Sequence, residues 1–171
     1  MEKIFYVDNS VYSSPEALNK CLSEFFGIQN AEILRNKNGK PYIQNGPHFS
    51  ITHTNGRVYI AFSKERLGID AELLSRKIDF ASIVKKFPEN EQAEILSTED
   101  FLRHWTVKES AVKFLGGTLA HDLKKLCFCQ NRLTYENTAF PAAVTLLQHE
   151  EYILSVCGSE HFKNTEFIQL V

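Results

Sequence analysis

The sequence predicts an α/β (α+β) domain in which strands come first, helices follow and strands return. Three observations predict it. PHFSITHTNGRVYIAF sets Asn55-Gly56 between two alternating apolar runs, a short-range signal for a β-hairpin. DFLRHWTVKESAVKFLGG carries helical spacing, with Ser97 and Thr98 near its start, acids in its first turn and Gly116-Gly117 as its stop. VTLLQHEEYILSV then goes back to strand alternation. Pro47 and Pro141, which open the two hairpin-like stretches, stand 94 positions apart, and the same offset pairs Val58-Tyr59-Ile60 with Tyr152-Ile153-Leu154. Two apolar strands around a turn recur by coincidence; a duplicated α/β half is the alternative.

The remaining elements follow in order. KIFYVDNSVY is expected as a strand with Phe5 and Val7 on one face. Ser14-Pro15 supplies an N-cap and a proline for the first helical turn, opening a helix that runs toward Phe26 and stops at Gly27. AEILRNKNGKPYI suggests two short extended pieces around Asn36, Asn38 and Gly39. HFSITHT, RVYIAFS and LGIDAE are strands, FASIVKKF and NEQAEIL are helices, and LKKLCFCQNRLTY and the tail FIQLV are strands again.

Composition narrows the class. With 171 residues, 43% hydrophobic and 23% charged, the chain is an ordinary globular sequence able to bury a core. A net charge of -2 offers no general attraction to nucleic acid or to an anionic membrane, so neither is an expected partner. MEKIFYVDNSVY lacks the apolar core of a signal peptide, and no stretch is long enough to span a bilayer. Cys21, Cys127, Cys129 and Cys157 are too sparse for a disulfide scaffold, and C-x-C is not the spacing of a zinc or redox pair. Buried free thiols in a reducing cytoplasm, in a monomer, are the expectation.

Two groups of residues could carry chemistry. Asp70 and Glu72, two apart in a strand, share a face, as a solvated strand end or as metal ligands. Glu109 and Lys113, four apart in a helix, also share a face, and as a surface ion pair they would contribute only about 0.3–0.5 kcal/mol. Taken together, three carboxylates and a lysine suit a magnesium–phosphate site, since Mg²⁺ takes a few carboxylates plus substrate phosphates and a lysine adds a point charge.

GKPYI (39–43), FSITHTNG (49–56), LGIDAE (67–72) and WTVKESAVKFLGGTL (105–119) occur in the order found in 4′-phosphopantetheinyl transferases. The chain resembles the longer, two-halved type that activates surfactin-synthetase carrier domains. The resemblance implies a pseudo-twofold pair of α/β halves in one domain, residues 1–171, divided near 65/66, and gives the 94-residue echo a cause. It implies transfer of the phosphopantetheine arm of coenzyme A to a serine of an acyl or peptidyl carrier protein, with release of adenosine 3′,5′-bisphosphate. Asp70, Glu72 and Glu109 would hold Mg²⁺. Lys113 would contact phosphate oxygens, and Glu109 or a metal-bound water would take the serine proton. His53 and Thr52, which replaces the family's usual serine, would contact coenzyme A phosphates, and Lys40 would lie near the adenine end. Trp105 is expected to pack in the core, and Lys85, Lys86 and Arg103 are candidate contacts for an acidic carrier helix.

The family's longer members carry a basic segment upstream. Here about forty residues precede GKPYI, no R-x-L-L-G-like stretch occurs, and Lys20, Arg35 and Lys37 are the basic residues available for the 3′-phosphate. KKFPENE is one aromatic short of the usual R-F-F segment. A coenzyme A or carrier binder without transfer activity, and a metal-dependent phosphohydrolase, are the other readings of the same residues; GKPYI and WTVKES argue against the second.

Overall fold

A computed structural model describes residues 2–171 of the chain. Strand β1 (Lys3–Asp8) leads into helix α1 (Ser14–Phe26), and the two-residue strands β2 (Leu34–Arg35) and β3 (Pro41–Tyr42) pair with one another. The hairpin β4 (His48–Thr54) and β5 (Arg57–Ser63) follows, then β6 (Gly68–Leu73). Two single-turn helices, α2 (Ala81–Val84) and α3 (Glu89–Gln92), precede the long α4 (Thr98–Leu115) and the short α5 (Leu119–Asp122). Strands β7 (Leu126–Cys129), β8 (Arg132–Tyr135) and β9 (Thr138–Ala139) form a small sheet. The hairpin β10 (Ala143–His149) and β11 (Tyr152–Gly158), a 3₁₀ turn and β12 (Phe167–Gln169) complete the order.

The two larger sheets share a wiring. In one, β1 pairs antiparallel with β5, which pairs with β4. In the other, β6 pairs antiparallel with β11, which pairs with β10. The strands matched by the 94-residue offset, β5 and β11, are the central strand of each trio. A difference lies at the end of the chain, where β12 crosses back and adds to β1 in parallel.

Packing follows from alternation. Phe5 and Val7 of β1, as expected, share a face with Val58, Ile60 and Phe62 of β5 and meet Ala17, Leu18, Cys21 and Leu22 of α1. The opposite face, Ile4, Tyr59 and Ala61, shares a second core with Leu67, Ile69 and Ala71 of the β6 segment and Leu154 and Val156 of β11. Because Ile69 and Ala71 point that way, Gly68, Asp70 and Glu72 point the other way, toward α4. The helix lies on β6 and β11, burying Val107, Ala111, Val112 and Phe114 against Leu126, Phe128 and Cys157.

Several elements end earlier than their sequence patterns suggest, each for a local reason. The first strand stops at Asp8 because its carboxylate accepts from the Ser10 N–H at 2.8 Å and turns the chain. The N-cap of α1 is Ser13, not Ser14: its N–H and hydroxyl both donate to Glu16, at 2.8 and 2.6 Å. FASIVKKF and NEQAEIL shrink to one turn each around Pro88. LKKLCFCQNRLTY folds back as β7 and β8 through Gln130 and Asn131, both at positive φ. The long helix keeps its expected caps, with Ser97 accepting from the Asp100 N–H at 3.1 Å and Gly116 at φ 66°. All four cysteines are free, but Cys127 and Cys129 are only half-buried, because β7 lies at the edge of its small sheet. Among the described residues no helix is long and apolar enough to cross a membrane.

Gly68 permits the contact between β6 and α4. A Cβ there would stand 2.0 Å from the Ser110 carbonyl oxygen and 2.4 Å from the Phe114 nitrogen, both backbone atoms that cannot step aside. Gly68→Ala is expected to destabilise the protein by more than about 3 kcal/mol, or to prevent folding, since overpacking against rigid backbone leaves no rotamer to relax. Thermal melting of purified protein checks this; a melting point within a few degrees of the parent would mean that α4 sits farther from the strand.

Candidate active site

The face of β6 turned toward α4 gathers charge. Asp70 and Glu72 are 4% and 7% exposed, far more buried than carboxylates at a solvated strand end. Glu109 projects from α4 toward them. The surface i,i+4 pair, one of the two readings of Glu109 and Lys113, does not form; Lys113 instead donates to Asp70 Oδ1 at 2.8 Å and to the Ile69 carbonyl at 3.0 Å. Thr52 donates to the same Oδ1 at 2.9 Å, so among the described residues every hydrogen bond to the Asp70 carboxylate falls on one oxygen. Glu72 is held by Arg76, whose Nη1 donates to Oε1 at 2.6 Å and Oε2 at 2.7 Å, and by Thr54 at 3.3 Å.

Glu109 has no hydrogen bond to its carboxylate among the described residues. Burial, with the negative charge of Asp70 and then Glu72 added, pushes its pKa up to about 7, against the opposing pull of Lys113 and Arg76. The lysine of α4 is turned to Asp70 on the strand, which leaves Glu109 without a counter-charge of its own among the described residues.

The strand β4 and the 36–40 loop support this arrangement. Ser50, Thr52 and Thr54 alternate along β4 and meet β6, with Ser50 Oγ accepting from the Ile69 N–H at 3.1 Å. His53 is exposed and, by strand alternation, lies on the opposite face of β4 from Thr52 and Thr54. Lys40 is half-buried, and its ammonium donates to the Leu67 carbonyl at 2.8 Å and the Lys113 carbonyl at 2.6 Å. Burial, then the nearby Arg66 and Lys113 charges, push its pKa down to about 8. Asn36 and Asn38 both donate to the Gly116 carbonyl, at 3.2 and 2.8 Å, so the loop of the GKPYI motif caps the C-terminal end of α4. Between loop and helix lies a cavity of about 240 Å³ lined by Gly39, Lys40, Ser50, Val112, Lys113 and Gly116. A larger one, about 700 Å³, shares Asn38, Gly116 and Gly117 with it and extends to Lys37 and His121.

Some residues that build the site escape sequence pattern. Lys108, beside Glu109, is wholly buried; its Nζ stands 2.8 Å from Glu91 Oε2, bonds the Leu126 carbonyl and lies 4.4 Å from the centre of the Phe87 ring. His104 Nδ1 adds a contact to Glu91 Oε1 at 3.1 Å. This network ties α3 and β7 to the helix that carries Glu109, and the helical pattern alone placed no acid opposite Lys108. Arg76 and Thr54 were likewise unmarked, because their partner Glu72 reaches them only through the turn after β6 and across to β4. Trp105, expected in the core, is half-buried and packs against it, stacked on Phe101 with ring centroids 5.8 Å apart. Lys85, Lys86 and Arg103 are exposed.

Oxygen-only donors on two elements suit a hard divalent cation. Among the described residues no three His, Cys, Asp or Glu side chains close into a metal shell, and Asp70 and Glu72 each hold a cationic side chain instead. The donors still fit an ion that shares its sphere with water and phosphate: among the described residues one oxygen of Asp70 and both of Glu109 accept no hydrogen bond.

A strand with two carboxylates, a helix with a third and a lysine, and a lysine loop capping that helix define the class. The family model of the 4′-phosphopantetheinyl transferase superfamily matches residues 66–157, more than half of the chain, and the chain belongs to that superfamily. It is 36% identical over 107 residues to the 4′-phosphopantetheinyl transferase gsp of Aneurinibacillus migulanus, over 58% of this chain and 45% of that protein. It is 31% identical over 109 residues to the 4′-phosphopantetheinyl transferase ffp of Bacillus subtilis, over 58% of this chain and 48% of that one. The chain spans about half the length of the curated relatives it matches.

Glu109 gives the apo protein a pH signature. A carboxyl whose folded pKa lies near 7, above an ordinary value near 4.5, penalises folding as pH rises through that window, in full above 7 and little below 4.5. Glu109→Gln is therefore expected to raise the melting temperature by several degrees at pH 8 and by little at pH 5, checked by calorimetry in metal-free buffer. An equal effect at both pH values would remove the shift. Glu91→Gln is expected to cost about 3 kcal/mol, because it leaves the Lys108 ammonium buried without its counter-charge; denaturant unfolding measures it.

Proposed function

We propose that the chain transfers the 4′-phosphopantetheine arm of coenzyme A to a serine hydroxyl of an acyl or peptidyl carrier protein, with Mg²⁺, releasing adenosine 3′,5′-bisphosphate. The observation that carries the reading is Lys113, seated on Asp70 between the carboxylates of β6 and the cavity beside Lys40.

The cavity would receive the adenosine end of coenzyme A, with Lys40 and Lys113 facing its phosphates. Thr52, like Lys113, would release Asp70 to offer its hydroxyl to a phosphate oxygen, and His53, exposed on the other face of β4, would meet a different phosphate of coenzyme A. Asp70, Glu72 and Glu109 would hold Mg²⁺, which when bound neutralises pyrophosphate oxygens and so favours departure of the bisphosphate. Lys113 would leave Asp70 for the phosphate and steady the negative charge that builds on the leaving group. Serine Oγ attacks the phosphorus that bears the pantetheine arm, the bond from that phosphorus to the bisphosphate oxygen breaks, and Glu109 takes the serine proton. Among the described residues Glu109 is the one of the three carboxylates with no hydrogen bond to give up first. The exposed Lys85, Lys86 and Arg103 would meet an acidic helix of the carrier, adding mainly to association rate.

Incubation with coenzyme A, Mg²⁺ and an apo carrier protein should add one phosphopantetheine mass to the carrier, read by intact mass spectrometry. Lys113→Ala should lower turnover at saturating coenzyme A by about 100-fold, the scale on which a charge-stabilising donor matters, while the protein stays folded. Turnover within a few-fold of the parent would remove Lys113 from phosphate contact. Coenzyme A binding without transfer would make the chain a binder, and coenzyme A cleavage without a carrier would make it a hydrolase.

A further inference from the structure

Glu72 and Asp70 are neutralised in different ways, and the difference has a consequence for cation binding. Lys113, which faces Asp70, is anchored twice, once on the carboxylate and once on the Ile69 carbonyl, and its side chain is 28% exposed. Arg76, which faces Glu72, sits in the turn just past β6, its N–H bonded to the Leu73 carbonyl at 3.0 Å. Its guanidinium makes hydrogen bonds to Glu72 alone among the described residues, both from one nitrogen, and the side chain is 40% exposed while that of Glu72 is 9% exposed. The carboxylate is thus fixed and buried, and its partner is tethered at the rim with water on its outer side.

A divalent cation on Glu72 competes with a guanidinium nitrogen that bridges both carboxylate oxygens at 2.6 and 2.7 Å, because the two positive groups repel one another across the same carboxylate. Arg76 has a route out: a long flexible stem, an exposed head and no second anchor.

We propose that Arg76 is a resident counter-ion of Glu72 which a divalent cation displaces, so that this arginine sets the cation affinity of the site. It rests on the reading of Asp70, Glu72 and Glu109 as cation ligands. Without the cation, Arg76 relieves the repulsion among the three carboxylates and holds the end of β6 in place. With it, the guanidinium turns out to solvent and Glu72 becomes available as a third carboxylate. A chain with a neutral residue at position 76 would pay no displacement cost and would bind the ion more tightly, but its metal-free form would be less stable.

Titration of Mn²⁺ into the metal-free protein, followed by calorimetry and by the electron paramagnetic resonance of free Mn²⁺, tests this with parent, Arg76→Gln, Arg76→Lys and Asp70→Ala. Arg76→Gln should bind Mn²⁺ about ten-fold more tightly than the parent, within the usual range for coupled equilibria. It should also melt at a lower temperature without metal and gain more on adding it. Arg76→Lys, which keeps a charge, should fall between. Equal or weaker Mn²⁺ binding by Arg76→Gln, with the parent binding and Asp70→Ala not, overturns the counter-ion role and leaves the cation site standing. Parent and Arg76→Gln both failing to bind, or Asp70→Ala binding like the parent, overturns the cation-site reading and the proposal with it.

Discussion

The close approach of α4 to β6 is the constraint on which the rest of the molecule depends. The strand meets the helix backbone at Gly68, where any side chain would enter the Ser110 carbonyl. Two residues along the same strand face, Asp70 meets Lys113, and two further on Glu72 bears on Glu109. Strand period two and helix period near four come into step over this short contact, so four side chains from sequence positions some forty apart share one small volume. Other features hold that contact in place: the 36–40 loop closes the helix end, Ser110 bonds Ser155 at 2.9 Å beneath it, and the Glu91–Lys108 pair anchors the opposite flank.

Much of this was legible before any coordinates. The Asn55-Gly56 hairpin, the caps of α4, and the shared faces of Asp70 with Glu72 and of Glu109 with Lys113 are local, and local rules describe them. The strand wiring repeated in the two larger sheets gives the 94-residue echo a physical basis in matching central strands. What was hidden is non-local or set by a single bond. Lys113 prefers Asp70 to Glu109 because the strand carboxylate is within reach and a carbonyl lies beside it, and no spacing rule sees across two elements. Lys40 was expected near a ligand, yet in this structure its ammonium ties the start of the β6 segment to the end of α4. His53 shares a motif with Thr52 but not a face, as strand alternation requires. The short helices α2 and α3 were overdrawn because apolar spacing continues past each helix while the backbone bonds tighten to i→i−3 turns, Lys86 N–H to the Ile83 carbonyl and Ile95 N–H to the Gln92 carbonyl.

Charge is handled in two distinct ways in this fold. At the buried flank, Glu91 has Lys108 on one oxygen and the His104 ring on the other, an arrangement that suits a part that only has to stay put. On the β6 face the acids exceed their partners, and Glu109 is left with none; its burial, and then the negative charge of Asp70 and Glu72, raise its proton affinity. On the function proposed above, such a shortage is useful, because an arriving cation would find oxygen donors already desolvated and already at odds.

The parallel pairing of β12 with β1 also bears on how the chain assembles. As the polypeptide leaves a ribosome, β1, α1 and the β4–β5 hairpin emerge early and contain the contacts of the first core. One side of β1 nevertheless stays open, its amide and carbonyl row unpaired, until residues 167–169 arrive. The sheet that holds β1 is thus completed later than the sheet of β6, β10 and β11. Its final register waits on a contact between strands 163 positions apart, Ile4 against Phe167, and pairing over so long a separation slows folding and leaves an adhesive edge exposed meanwhile.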